Sequence, residues 1–185
     1  MKRVTRDFMT LFNVLWYRDF PLTKEHKETG SRAEWTTHIG ICARTASDLL
    51  GYFTYFEHGN RTDAVIKDND SNVIANLEWE WRQPMDKDHV NEVRQLYQAR
   101  KDCEFSVFIS YSDNNSYEKN MKAVRSQWKK SPYPLVFIVI RFDRNKGRVF
   151  DVMETHHIQN GMSRKCRSQP ALPWEAKGKR WEDWS

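Results

Sequence analysis

With 185 residues and 22.2 kDa the chain is long enough for one hydrophobic core, and residues 1–185 read as a single domain. A formal charge of +5 and a pI near 9.1 favour an anionic partner, nucleic acid above all, and the basic residues thicken late in the chain in "SRKCR" and "EAKGKR". No apolar run approaches the roughly 18 residues of a membrane span, and "FMTLFNVLWY" lacks a cleavage signal; Cys42, Cys103 and Cys166 lie too far apart for a zinc or disulfide framework, so a cytoplasmic protein is expected.

Phe8, Leu11, Phe12 and Leu15 have helical spacing, and "FPLTKEHKETGS" then breaks the pattern. Ser31 and Glu34 form a capping-box pair that opens a second helix, with Trp35, Ile39, Cys42, Ala46 and Leu49 as its buried stripe. Aromatic and β-branched residues from Tyr52, punctuated by "EHGN" and "KDNDSN", predict a three-strand meander near 52–57, 61–67 and 73–81. A helix over 87–100, the strand "EFSVFISY", a helix carrying Tyr117, Met121, Val124 and Trp128, the strand "LVFIVIRF" and a hairpin partner in "RVFDVME" follow. This order predicts an α/β fold with a mixed sheet flanked by helices. From about residue 158 no period is long enough for an element, so a basic, tryptophan-containing tail is expected.

The segment "NLEWEW" places Glu78 and Glu80 on one face of a strand and Leu77, Trp79 and Trp81 on the other. Asp63 lies 15 residues before Glu78 near the start of the preceding strand, and the short turn between them returns the chain antiparallel. Three carboxylates at neighbouring strand ends repel unless a cation compensates, and Mg²⁺ (or Mn²⁺) takes hard oxygen ligands while keeping water in its shell. Such a site would suit metal-assisted hydrolysis of a phosphodiester. The same alternation also fits an exposed strand whose acids are offset by Arg61 and Arg82.

At these residues the chain resembles the PD-(D/E)XK restriction-endonuclease-like nucleases, whose motif joins an acidic residue on one strand to an acidic residue, any residue and a lysine on the next. Asp63 in "RTDAVI" and Glu78 in "NLEWEW" match, Glu80 stands in the lysine position, and Glu34 matches the helix glutamate; the resemblance spans about residues 31–111. Thr62 stands where proline is usual, and some restriction enzymes of the superfamily carry glutamate in the lysine position. The resemblance implies a restriction-endonuclease-like sheet, an endonuclease cutting DNA with a divalent metal held by Asp63, Glu78 and Glu80, and a homodimer cutting two strands. The alternative is a catalytically silent member of the fold that binds DNA or a protein partner.

Arg125, Lys129 and Lys130 around Trp128, and Arg164, Lys165 and Arg167 in the tail with Lys177, Lys179 and Arg180, are either phosphate contacts or solvated faces. Glu57 and His58 lie near the site edge, and Lys67 shares the side parity of Asp63. His156 and His157, being adjacent, would face opposite sides of a strand and are expected at the surface or at a hairpin end.

Overall fold

In a computed structural model of the chain, residues 1–24, 31–58, 62–84, 91–146 and 149–176 are described. The basic residues Lys177, Lys179 and Arg180, the tryptophans Trp181 and Trp184, and the His58 side chain lie outside them. Four helices, α1 (Arg3–Leu15), α2 (Arg32–Leu49), α3 (Asn91–Ala99) and α4 (Tyr117–Trp128), flank one sheet. Its strands are β1 (Phe53–His58), β2 (Thr62–Lys67), β3 (Val73–Glu80), β4 (Phe105–Asp113), β5 (Leu135–Asp143), β6 (Val149–Gln159) and β7 (Met162–Pro170), and they pair in chain order. The sheet is mixed, with β3–β4 and β4–β5 parallel and every other pair antiparallel. No helix among the described residues is long and apolar enough to cross a membrane.

Burial explains this arrangement. Every residue of β4 and the apolar run of β5 are buried, as expected for parallel strands covered on both faces. Their parallel pairing requires crossovers, which α3 and α4 supply, and both helices pack into one apolar layer with Phe108, Phe137 and Val139. On the other face α1 and α2 bury Phe8, Phe12, Trp16 and Trp35 against Leu77, Val107 and Ile138. Trp16 stacks on Trp35 with ring centroids 5.8 Å apart. His38 accompanies them, and burial lowers its pKa to about 4, so the neutral ring's Nε2–H donates to the Trp16 carbonyl at 2.9 Å.

The α2 capping box forms, with the Glu34 backbone N–H donating to Ser31 Oγ and the Ser31 N–H donating to Glu34 Oε2. Ser31→Ala is therefore expected to cost about 1 kcal/mol, read as a lowered melting temperature. Trp35, Ile39, Cys42 and Ala46 are buried on α2, but Leu49 is 63% exposed because the helix has passed the edge of the layer by its last turn.

From about residue 158 a tail without a regular element is expected, and the structure instead forms a strand there. β6 continues to Gln159 and turns at Asn160–Gly161, both at positive φ, into β7, whose Gln159–Met162 pair closes the hairpin. Asn-Gly is the residue pair such a two-residue turn selects. The last described residues pack as well, with Ala171, Leu172 and Ala176 buried and Trp174 edge-on to Phe20. His156 and His157 do face opposite sides, yet both are buried, His156 against Tyr117 of α4.

Candidate functional site

The β2–β3 register pairs Ala64 with Leu77 and Val65 with Asn76, which sets Asp63 opposite Glu78. Directly opposed residues of an antiparallel pair share a face. Leu77, Trp79 and Trp81 pack towards α1 and α2, so Glu78 and Glu80 stand on the α3 face. Asp63 Oδ2 accepts the Trp79 backbone N–H at 2.7 Å, fixing that carboxylate at the point where the β2–β3 ladder ends. At the strand end Asp63 also borders a 340 Å³ cleft on the α2 side with Thr36, Thr37, Gly40, Arg44, Phe56 and Glu57, while Glu78 does not line it.

Glu78 is 3% exposed, and its Oε1 has no hydrogen-bond partner. Burial, the neighbouring Asp63 charge and Glu92 push its carboxyl up to about 9. Burial also raises Asp63, with Glu92 and Glu80 adding to it, while the Trp79 N–H and Glu78 oppose the rise. The pair therefore favours either a retained proton or a bound cation at neutral pH.

The other expected members are placed differently. Glu80 is on the same face and its charge reaches Asp63, but its Oε1 accepts the Arg82 N–H at 3.0 Å. Glu34 is engaged by Ser31 in the capping box, and no described contact joins it to Asp63 or Glu78. Instead Glu92, in the first turn of α3, supplies the nearby acid. The expected convergence of three carboxylates thus becomes a pair with acidic neighbours: among the described residues no group of three or more His, Cys, Asp or Glu side chains is disposed to hold a metal ion. The oxygen-only pair and the unbonded Glu78 Oε1 still fit a hard cation of the Mg²⁺ kind, which commonly uses one or two protein carboxylates and takes its other ligands from water and substrate phosphate.

The basic residues divide between the two sides of the sheet. Arg164 pairs in register with His157 and Arg167 with Thr155, on the face of α1, and with Arg6, Thr10 and Asn13 they line a 420 Å³ cleft. Lys165 faces the other way, its Nζ 2.7 Å from Glu154 Oε1. Arg125, Lys129 and Lys130 are exposed at the end of α4, on the opposite face from Arg164 and Arg167. The two basic sets therefore form separate surfaces.

A second polar cluster had no signal in the sequence. Glu154 is 2% exposed and accepts from Tyr117 Oη at 2.6 Å and Lys165 Nζ at 2.7 Å, with Arg141 Nη1 at 3.5 Å and His156 Nε2 at 3.1 Å. It ties α4, β5, β6 and β7 together.

No family model matches the chain, and no curated protein matches it significantly. Among solved structures it is similar to the YaeQ protein from Xanthomonas axonopodis pv. citri, at 12% identity over 75% of this chain and 78% of that one with a TM-score of 0.33. It is also similar to a carbon-nitrogen hydrolase from Helicobacter pylori G27, at 11% identity over 93% of this chain and 82% of that one with a TM-score of 0.41.

Proposed function

We propose that the chain is a divalent-metal-dependent endonuclease of the restriction-endonuclease-like type, hydrolysing phosphodiester bonds in DNA. The observation that carries this reading is the opposed Asp63–Glu78 pair, one carboxylate pinned by a backbone N–H and the other buried with an unbonded oxygen. A buried glutamate beside a half-buried aspartate serves no packing purpose that two apolar residues would not serve better. The order of elements supports it too: a helix, a three-strand antiparallel meander, then a crossover helix to a parallel strand.

In this reading Asp63 and Glu78 hold Mg²⁺ or Mn²⁺, and such a cation supplies activation of water and neutralisation of charge on the phosphorus oxygens. Glu80 occupies the position in which this type of site carries its lysine, with its carboxylate oriented by the Arg82 N–H. Free thiols at Cys42, Cys103 and Cys166 accord with action in the cytoplasm. A homodimer would provide two such sites for two strands.

The test is incubation of the protein with duplex DNA, single-stranded DNA and RNA in Mg²⁺, in Mn²⁺ and in chelator. Metal-dependent cleavage is expected, and its absence with every substrate and both metals would overturn the reading. The second reading, a catalytically silent DNA- or protein-binding relative, is favoured by one observation: the Glu80 carboxylate is turned back onto its own strand end.

Duplex binding has its own signature. Neutralising Arg164 and Arg167 together is expected to lower the slope of log affinity against log salt by about 2, since each phosphate contact contributes roughly 0.9. Lys165→Gln is expected to leave that slope unchanged, because Glu154 already neutralises the lysine. Equal effects from all three would assign them to a general surface charge.

A further inference from the structure

The outer strands β1 and β2 present an aromatic surface beside the carboxylate pair, on the same face of the sheet. Phe53 pairs with Lys67 and Tyr55 with Val65, while their neighbours Thr54 and Phe56 pair with Ile66 and Ala64. Ile66 and Ala64 belong to the α2 layer, so Phe53 and Tyr55 point to the side of α3 and share it with Asp63 and Glu78. α3 packs on β3 and β4, and the two rings that β1 turns to this face remain 49% and 45% exposed. Two exposed rings, two residues apart on an edge strand, promote unwanted association unless they serve a ligand.

The surroundings identify the ligand by its chemistry. Lys67 Nζ lies 5.4 Å from the Tyr55 ring centroid. Between β2 and α3 runs a 530 Å³ cleft whose walls include Lys67, Asn76, Arg94, Gln95 and Gln98. Arg94, Gln95 and Gln98 recur at helical spacing on the exposed side of α3, whose opposite side buries Val93 and Leu96. Flat apolar rings accept the faces of bases, a lysine and an arginine meet phosphates, and side-chain amides hydrogen-bond base edges. A base must leave the duplex stack to lie flat on such rings.

We propose that Phe53 and Tyr55 form a stacking platform for unpaired nucleotides, so that the protein takes an unpaired nucleic-acid strand, or the unpaired part of a duplex, across β1 and β2 towards Asp63 and Glu78. This rests on the nucleic-acid reading of the site and narrows its substrate from DNA in general to strands whose bases are free to stack. Lys67 and Arg94 hold the backbone, and the amides of Gln95 and Gln98 face the base edges.

The test measures binding in chelator, where cleavage is off, by anisotropy of short fluorescein-labelled oligothymidylate, oligouridylate and a duplex of equal length. A 2-aminopurine within the single strands reports stacking by quenching. The wild type is expected to bind single strands at least about tenfold more tightly than duplex with quenched 2-aminopurine, and Phe53→Leu and Tyr55→Leu each to weaken that binding by about tenfold and relieve the quenching. Both side chains are half exposed, and unchanged melting curves of the variants would establish that they fold. Unchanged single-strand affinity in both variants, or no preference over duplex, would overturn the platform even if metal-dependent cleavage is observed. Ring-dependent single-strand binding without cleavage in any metal would sustain the platform and overturn the nuclease reading. The thymidylate and uridylate arms distinguish DNA from RNA.

Discussion

Glu78→Gln is expected to reduce metal-dependent cleavage by roughly two to three orders of magnitude and, in chelator at neutral pH, to make the protein harder to unfold. The two effects have one cause. Native Glu78 is held at about 9 against an ordinary 4.5, so between those values the folded chain keeps a proton that the unfolded chain has released. Stability from this group is fully present below about pH 4.5 and is lost as pH rises through the native value, by up to about 1.4 kcal/mol per unit. Glutamine mimics the protonated carboxyl, so the variant is expected to gain about 1–3 kcal/mol near neutrality and to lose that pH dependence. Mg²⁺ is expected to restore wild-type stability most at alkaline pH, where no proton has to be displaced, and to do little for the variant. Melting curves at acidic and alkaline pH, with and without Mg²⁺, check each step. A variant less stable than wild type in chelator would show that the carboxylate is paired in a way that the Asp63–Glu78 geometry does not provide.

Glu154→Gln is expected to act in the opposite direction and to destabilise the protein by about 2–3 kcal/mol. Burial would push this carboxyl up, but hydrogen bonds from His156, Lys165 and Tyr117 outweigh it and hold it at about 2. The stabilisation is therefore present above the ordinary value of 4.5 and is lost as pH falls through the native one. Glutamine leaves Arg141 and Lys165 without their shared counter-charge and replaces an acceptor of the Tyr117 hydroxyl by a weaker one. Because the wild type loses this contribution as pH falls from about 4.5 to about 2, Glu154→Gln should flatten the acid limb of stability against pH below about 4.5, and an unchanged limb would show that the network does not hold the carboxyl down. Denaturant titration at neutral and acidic pH separates the outcomes.

The interior of the fold was legible because it is patterned. Alternation set the meander within about a residue at each end, and "EFSVFISY" and "LVFIVIRF" read as strands from their apolar content. β7 was not legible because "MSRKCRSQP" carries no apolar alternation: it is an edge strand, and its pairing is specified by the Asn160–Gly161 turn rather than by its own side chains. Its one irregularity, a register shift opposite Thr155/His156, sends Lys165 and Arg167 to opposite faces, which counting by twos from Arg164 does not foresee. At the candidate site the facing of Asp63 and Glu78 follows from a short turn and a period of two. The absence of Glu34 and the arrival of Glu92 depend on where whole helices come to rest, and local spacing does not encode that. The Glu154 network was hidden for the same reason, since Tyr117 meets it from 37 residues away.

The way α1 is held has a consequence for how the chain reaches this structure. Asn13 bonds Thr155 and receives Gln169, the Trp16 indole N–H donates to the Ala171 carbonyl, and Tyr17 Oη donates to the Pro170 carbonyl. The polar partners of α1 thus lie about 140–155 residues later in the chain, and these bonds can close only after the β6–β7 hairpin has been synthesised, whereas Phe8 and Trp16 meet Phe105 and Trp35 earlier. Such distant closure predicts that the polar contacts of α1 form late in folding, after its aromatic face has packed.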